Sequence, residues 1–303
     1  MEGMAAMATG RPEWLKVRAP GGENYREVKA LVASERLHTI CESGHCPNMG
    51  ECWEQRTATF MILGNVCTRR CGFCAVAKGA PLPLDWDEAH RVGEAVARLG
   101  LEYAVVTSVD RDDRQDGGAA LFVRTIEEIR RQQPGCKIEV LIPDFQGKLP
   151  ALRAVLEAAP DVLNHNIETV RRLYRRVRPG SRYDRSLALL DVSKELAPDI
   201  PTKSGMMVGI GEEPDEVAEA MRDLRQARVD ILTIGQYLRP SLKHLPITRY
   251  YTPEEFARFR QLGRDMGFRH VESGPFVRSS YHARNALEER IEQRQPAVPA
   301  GSG

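Results

Sequence analysis

Cys67-Thr68-Arg69-Arg70-Cys71-Gly72-Phe73-Cys74 places three cysteines in one short loop, directly after an apolar run, Phe60–Leu63. An apolar run of this length is typical of a buried strand. Enzymes built on α/β barrels carry their chemistry on the loops that follow the carboxyl ends of the strands. A loop of thiols in this place therefore predicts an α/β enzyme whose reactive centre follows its first strand.

Apolar runs and amphipathic stretches alternate beyond this loop. The six candidate strands are Thr59–Leu63, Tyr103–Thr107, Lys137–Ile142, Asp161–Asn166, Thr202–Gly209 and Asp230–Gln236. The candidate helices between them are Asp87–Leu99, Ala119–Gln132, Lys148–Ala159, Ser186–Leu196 and Pro214–Ala227. Six β–α units in series predict parallel strands with right-handed crossovers. A doubly wound sheet has the same periodicity, but the count of six favours a partial (β/α)6 TIM-type barrel.

The cysteines form two triplets. Cys41, Cys46 and Cys52 make the first, Cys67, Cys71 and Cys74 the second, and Cys136 stands alone as a buried apolar residue would. Structural zinc requires four ligands, and only His38 and His45 lie near the first triplet to complete such a set. Iron–sulfur clusters are normally held by four thiolates, so three leave one iron open to another ligand. Two triplets favour two such clusters.

Composition excludes several classes. The chain has 303 residues, 43 Lys plus Arg against 42 Asp plus Glu, and a net charge of +1. This balance argues against a globally basic nucleic-acid binder. No apolar run reaches the roughly 18–20 residues that cross a bilayer, and we see no signal peptide, so we expect a cytoplasmic protein with reduced thiols.

Polar residues follow several candidate strands. Thr107–Asp113 follows the second strand, Asn164–Thr169 the fourth, and a glycine-rich stretch, Gly205–Glu212, ends the fifth. These groups suit a ribose, an amine and a carboxylate, although solvated turns and helix caps use the same residue types. Seven arginines between Arg171 and Arg185 predict a solvated helix face, a surface for an acidic protein partner, or an arginine that binds a ligand carboxylate.

The second triplet resembles that of the radical S-adenosylmethionine (SAM) superfamily, and together the motifs resemble the lipoyl synthase family over residues 35–284. The matching motifs are the two cysteine triplets, Thr107–Asp113, Asn164–Asn166, Val177–Gly180 and Arg278–Tyr281.

The resemblance implies that Cys67, Cys71 and Cys74 hold a [4Fe-4S] cluster whose open iron binds SAM. It implies an auxiliary [4Fe-4S] cluster on Cys41, Cys46, Cys52 and a serine. We assign Ser279 as that ligand and keep Ser280 as the alternative. The motif pattern predicts SAM contacts at Phe73, Thr107, Ser108, Asn166, Glu168 and Arg178.

The implied organisation has three parts. Residues 1–57 form an N-terminal extension with the auxiliary-cluster cysteines, residues 58–272 form the radical SAM partial barrel, and residues 273–303 bring the serine ligand and end in a disordered tail. We expect both extensions to cap the barrel mouth.

The implied reaction is the insertion of two sulfur atoms at C6 and C8 of an octanoyl group on a lysine of a lipoyl carrier domain. Those C–H bonds carry no acidic proton, so a cofactor must supply a radical. Two SAM molecules are used per product, and the auxiliary cluster donates the sulfur. The implied partners are the octanoylated carrier protein or domain, an electron donor such as a ferredoxin or flavodoxin, and an iron–sulfur carrier for cluster repair. We expect a monomer that binds neither nucleic acid nor membrane.

Two alternatives remain at this point. Another radical SAM sulfur-inserting enzyme, such as one like biotin synthase or a methylthiotransferase, shares the second triplet but lacks the first. A zinc-stabilised binding module leaves Thr107–Asp113 and Asn164–Glu168 without a role.

Overall fold

A computed structural model describes residues 12–16, 20–55 and 57–280 of the chain. The tail for which the sequence predicts disorder, and Tyr281 of the C-terminal motif, lie outside these residues. Within them, no helix is long and apolar enough to cross a membrane.

The core of the molecule is a sheet of seven parallel strands in the order β1-β4-β5-β6-β7-β8-β9. A second, two-stranded sheet pairs β2 with β3. The strands are β1 (Thr59–Ile62), β2 (Val66–Cys67), β3 (Ala77–Lys78), β4 (Tyr103–Ser108), β5 (Lys137–Leu141), β6 (Val162–Asn164), β7 (Thr202–Val208), β8 (Ile231–Gln236) and β9 (His270–Gly274).

Among the described residues, three helices precede β1 and seven lie in the connections between strands of the large sheet. They are α1 (Glu23–Ser34), α2 (Ile40–Ser43), α3 (Met49–Glu54), α4 (Glu88–Arg98), α5 (Ala119–Gln132), α6 (Leu149–Glu157), α7 (Tyr174–Val177), α8 (Tyr183–Leu196), α9 (Pro214–Gln226) and α10 (Pro253–Asp265). Short 3₁₀ turns lie at Glu13–Leu15, Phe145–Gly147 and Arg171–Leu173. The partial (β/α)6 barrel is confirmed: six β–α units run from β1 to α10.

A seventh strand, β9, follows the six units and was not predicted from the sequence. Its five residues alternate between buried and half-buried positions at the edge of the sheet. They therefore lack the continuous apolar run that marks a strand buried on both faces. The boundary predicted at residue 272 lies within this strand.

Local sequence explains where two of the outer helices begin. Both α9 and α10 start with proline and carry a capping box, formed by Glu213 with Glu216 and by Thr252 with Glu255. A capping box satisfies backbone N–H groups that a first helical turn leaves unpaired. These caps fix the starts of the helices that cross over after β7 and β8.

A buried polar group lies among the central strands. The Lys203 ammonium lies 3.0 Å from a carboxylate oxygen of Glu139, and both side chains are about 1% exposed. The Tyr103 hydroxyl and the Asn164 amide also donate to this carboxylate, at 2.7 and 2.9 Å. Burial, together with the Glu139 charge, raises the pKa of Tyr103 well above its usual range, so the phenol remains a donor. The Glu139 charge is thus balanced and hydrogen-bonded inside the protein.

The two terminal segments meet over the open ends of the sheet. In the N-terminal extension, the His38 carbonyl accepts from the Met61 N–H at 2.8 Å, beside the outer strand β1. The Asn48 amide donates to the Phe276 carbonyl at 2.7 Å, which joins this extension to the segment after β9. Gly235 is needed for that approach, because a Cβ there would lie 2.1 Å from the Val277 carbonyl oxygen.

We expect Lys203→Met to destabilise the folded protein strongly. The substitution leaves the Glu139 charge buried without its cation, and breaking a buried ion pair in this way costs about 3–5 kcal/mol. Anaerobic urea unfolding of the reconstituted protein measures the change. Lys29→Met, at an exposed position on α1, is the matched control, and equal midpoints for the two variants would contradict the role given to the pair.

Candidate active site

The cysteine loop begins at β2 and is held by backbone bonds to distant parts of the chain. The Gly72 N–H donates to the Val177 carbonyl at 2.9 Å, and the Leu245 N–H donates to the Gly72 carbonyl at 3.0 Å. The Thr68 hydroxyl donates to the Asp110 carbonyl at 2.9 Å, beyond the end of β4. The loop therefore lies at the carboxyl edge of the sheet, as the sequence predicts.

Arg69, within this loop, is clamped by three carboxylates. Its guanidinium makes two bonds to Asp112, at 2.7 and 2.8 Å, and one to Asp144, at 2.6 Å. Asp110 lies 3.2 Å away. The arginine side chain is 2% exposed. Burial alone would raise the pKa of Asp144, but the hydrogen bond and the charge of Arg69 hold it well below its usual range. The loop is thus fixed by charge pairs that need no metal.

The thiols of this loop lie in a desolvated place. Burial raises the pKa of Cys67, Cys71 and Cys74 to about 11 in each case. The Cys67 sulfur accepts from the backbone N–H groups of Arg69 and Asp110, at 3.4 and 3.3 Å. Backbone N–H donors stabilise a thiolate, and a bound metal deprotonates a coordinating thiol outright. The three residues fit the [4Fe-4S] cluster that the sequence predicts here.

Four of the predicted SAM contacts lie beside this loop. The Asn166 amide donates to Glu168 at 3.1 Å, and Arg178 donates to the Asn166 carbonyl at 2.6 Å. Within residues 12–16, 20–55 and 57–280, three buried polar atoms here have no hydrogen-bond partner: Ser108 Oγ, Asn166 Oδ1 and Arg178 Nε. Buried polar atoms are rarely left unpaired. These atoms therefore fit a polar ligand such as SAM.

The other two predicted SAM contacts, Thr107 and Phe73, are occupied by contacts within the protein. The Thr107 hydroxyl donates to the Leu141 carbonyl at 3.1 Å and so bonds to the neighbouring strand. Phe73 is half-buried and packs against the core. Three backbone N–H groups that follow β7 are already paired within the chain, because the Glu212 carboxylate accepts from Gly209, Ile210 and Gly211.

The first cysteine triplet lines a cavity of its own. The lining residues are Cys41, Cys46, Asn48, Met49, Cys52, Thr57, Thr59, Arg278 and Ser280. Burial raises the pKa of Cys41 to about 11 and that of Cys52 to about 12. Three thiols and the Ser280 hydroxyl around one cavity suit the auxiliary [4Fe-4S] cluster.

The structure separates the two candidate serines. Ser280 lines the cavity of the first triplet, whereas the Ser279 hydroxyl accepts from the Asn166 amide at 2.7 Å. The geometry thus favours Ser280, the alternative, over the preferred Ser279.

Neither cysteine triplet has the geometry of a site for a single metal ion. In the described part of the chain, no three His, Cys, Asp or Glu side chains converge as ligands of a single metal ion would. A cubic cluster instead spreads its thiolates over separate irons.

Only some arginines of the segment 171–185 are exposed without an ion pair in the described residues. Arg171 pairs with Asp184, Arg172 with Glu216, and Arg185 with Asp144. Arg178 is buried. The three remaining side chains are exposed: Arg175, Arg176 and Arg182.

Sequence reasoning missed two residues of this site. Arg69 was given no role, although its position between two ligand cysteines was a signal. Arg278 is half-buried and lines the auxiliary cavity, and its guanidinium lies near both Cys46 and Glu168. It was quoted only as part of a motif.

Known proteins are similar to this chain over most of its length. A model of the radical SAM superfamily matches residues 61–224. The chain is 60% identical over 288 residues to the lipoyl synthase of Koribacter versatilis (strain Ellin345), which covers 95% of this chain and 94% of that protein. The chain belongs to the lipoyl synthase family. The lipoyl synthase of Rubrobacter xylanophilus is also 60% identical, over 92% of this chain and 87% of its own.

Membership in the lipoyl synthase family makes this chain a radical SAM sulfur-inserting enzyme and implies SAM and [4Fe-4S] clusters as cofactors. Two solved structures share its fold at low identity. Methylornithine synthase has a TM-score of 0.53 at 15% identity, covering 91% of this chain and 90% of its own. The FeFe-hydrogenase maturase HydG from Carboxydothermus hydrogenoformans has a TM-score of 0.57 at 16% identity, covering 87% of this chain and 68% of its own.

We expect Arg69→Met to lower iron binding by the Cys67–Cys74 loop and to destabilise the protein by about 3–5 kcal/mol, because three carboxylates lose their shared cation. Arg69→Lys keeps the charge but loses the planar fork, so it should fall between wild type and Arg69→Met. The measurement is iron per chain in a background where Cys41, Cys46 and Cys52 are Ala. Arg153→Met, on the exposed side of α6, is the control, and normal iron in Arg69→Met would contradict the clamp.

Proposed function

We propose that this enzyme inserts sulfur at C6 and C8 of an octanoyl group carried on a lysine of a lipoyl carrier domain. One observation supports this most directly. Two adjacent residues reach into two different sites: Ser280 lines the auxiliary cavity, and Ser279 bonds to Asn166 at 2.7 Å on the SAM side. A chain between these sites would lie within reach of both a hydrogen-abstracting group and a sulfur source.

The cofactors supply the reactive chemistry: when bound, the first cluster with SAM provides a 5′-deoxyadenosyl radical, and the auxiliary cluster provides sulfide. The protein residues bind and orient. Asn166, Glu168 and Arg178 present amide, carboxylate and guanidinium groups, which match the amine, carboxylate and hydroxyls of SAM. The buried Arg178 charge suits a carboxylate in particular.

Exclusion of water is the second task of the protein. A carbon radical or its precursor would react with small molecules that enter the chamber. The Asn48–Phe276 bond and the packing of Val277 over Gly235 close the terminal segments over the sheet edge. These two extensions, residues 1–57 and 273–303 in the predicted organisation, would serve as the walls of the reaction chamber.

For the auxiliary cluster, we propose Cys41, Cys46, Cys52 and Ser280 as ligands. An oxygen ligand is harder than a thiolate and binds iron–sulfur sites less well, which suits a cluster that is dismantled during turnover. Ser279 then belongs to the SAM side through Asn166.

The proposed partners follow from this reaction. They are an octanoylated lipoyl carrier protein or domain, a low-potential electron donor such as a ferredoxin or flavodoxin, and an iron–sulfur carrier that rebuilds the auxiliary cluster. We propose that the enzyme works as a cytoplasmic monomer.

Iron and sulfide analysis tests the two-cluster assignment. The reconstituted protein should hold roughly eight irons and eight acid-labile sulfides per chain, since each [4Fe-4S] cluster carries four of each. Changing Cys41, Cys46 and Cys52 to Ala should halve both, and so should changing Cys67, Cys71 and Cys74. Cys136→Ala is the matched control and should change neither count. Bound zinc without sulfide would reject the proposal.

Substitutions of Ser279 and Ser280 should have different effects, which distinguish the roles of the two residues. We expect Ser280→Ala to lower auxiliary-cluster iron and Ser280→Cys to retain it while slowing sulfur release. Ser279→Ala should keep the iron but weaken SAM binding by roughly fivefold, because it removes one hydrogen bond to Asn166, worth about 1 kcal/mol. Iron content and equilibrium SAM binding measure the two effects. If Ser279→Ala lost the auxiliary iron and Ser280→Ala kept it, the ligand would be Ser279.

A further inference from the structure

Several exposed cations surround the outer side of the cysteine loop. Arg70 lies within the loop between two ligand cysteines and is exposed. The Lys78 ammonium donates to the Cys71 carbonyl at 3.1 Å. Neither residue forms an ion pair in the described ranges. The loop therefore shows positive charge to solvent beside the cysteines that would hold the first cluster.

Two further segments bring cations to the same loop through backbone contacts. Arg175 and Arg176 directly precede Val177, whose carbonyl accepts from Gly72 at 2.9 Å. Lys243 precedes His244, whose ring Nε2 lies 3.1 Å from the Cys74 carbonyl oxygen. All three cations are exposed, and none is ion-paired among the residues that the structure describes. Arg175 and Arg176 are two of the three exposed arginines of the segment 171–185 that form no ion pair in the described ranges; the third is Arg182.

The carboxylates bonded to the loop do not neutralise this charge. Asp112 and Asp144 are committed to Arg69, and Asp110 lies 3.2 Å from the same guanidinium. The Arg69 side chain is 2% exposed, and those of Asp110 and Asp112 are 19% and 27% exposed, so the charge of these carboxylates is already balanced by Arg69. The five outer residues form what we call the cationic face: Arg70, Lys78, Arg175, Arg176 and Lys243.

An exposed apolar side chain adjoins this face. Leu242, next to Lys243, is 86% exposed, more than any other large apolar side chain in the described residues. The Arg239 guanidinium donates to both the Leu242 and the His244 carbonyl, so this turn is held in place. An apolar contact ringed by charge is typical of small, short-lived protein interfaces.

We propose that the cationic face, with Leu242, is the docking site for an acidic one-electron carrier protein with a low-potential flavin or iron–sulfur centre. This inference rests on the proposed function, since the reaction needs one electron for each SAM cleaved. The reduced carrier loses one electron, the loop's oxidised [4Fe-4S] cluster gains it, and no bond is made or broken in the transfer. Complementary charge steers such a partner to the loop that would hold the cluster.

The experiment follows electron transfer itself. Anaerobic stopped-flow absorbance would record the oxidation of photoreduced flavodoxin on mixing with the reconstituted enzyme, without SAM or substrate. We expect a second-order rate constant that falls steeply with ionic strength. Arg70→Glu and Lys243→Glu should each lower this constant about tenfold at low salt, within the range of electrostatic steering. Lys243→Gln should fall between Lys243→Glu and wild type.

Two matched controls and a second arm complete the design. Two variants remove exposed cations that lie away from the loop: Arg153→Glu on α6 and Lys29→Glu on α1. Flavodoxin should reduce both variants at the wild-type rate. With dithionite as reductant, Lys243→Glu should form product from an octanoylated carrier domain as wild type does. Iron content and circular dichroism of each variant check its folding.

Two results would overturn the docking proposal. Wild-type reduction rates in Arg70→Glu and Lys243→Glu would overturn the proposal. Equal loss with dithionite would assign the surface to the octanoylated carrier domain and overturn it as well. Flavodoxin oxidation requires no SAM cleavage. The measurement therefore tests docking at the cationic face separately from the proposed sulfur insertion.

Discussion

A guanidinium buried among carboxylates holds the reactive end of this molecule in shape. Arg69 joins the cysteine loop to Asp110 and Asp112 after β4 and to Asp144 after β5. Leaving any one of these charges unpaired inside the protein would cost several kcal/mol. The loop, the two strand ends and the α7 terminus are therefore bound to keep one arrangement. Cluster ligands set on such a support need little rearrangement when iron arrives.

Much of the barrel was readable from sequence because parallel strands are buried on both faces. Continuous apolar runs such as Tyr103–Thr107 and Asp230–Gln236 predicted β4 and β8 within one residue at either end. The edge strand β9 has only one well-buried face, so its alternating residues resemble a polar loop. The predicted strand Asp161–Asn166 is longer than β6, which ends at Asn164, although the His165 N–H still donates to the Lys203 carbonyl of β7.

Side-chain direction was the part that sequence could not supply. Ser279 and Ser280 are chemically identical neighbours, and only the path of the backbone sends one to Asn166 and the other to the auxiliary cavity. In the same way, Glu212 takes the amides of the glycine stretch, and Thr107 turns to its neighbouring strand. Residue types predicted which groups gather at the barrel mouth, but packing decided which of them remain free for a ligand.

The bond between Asn48 and Phe276 joins residues 228 positions apart. Contacts of such long range form late, because the loop they close must first lose its conformational freedom. The half of the site that generates the radical lies mainly in the barrel and takes only Ser279 from the C-terminal segment, whereas the sulfur-bearing half is built from both ends of the chain. During synthesis, the auxiliary cavity cannot be completed until the last strand has left the ribosome. Assembly order would thus keep the sulfur source absent from any unfinished enzyme.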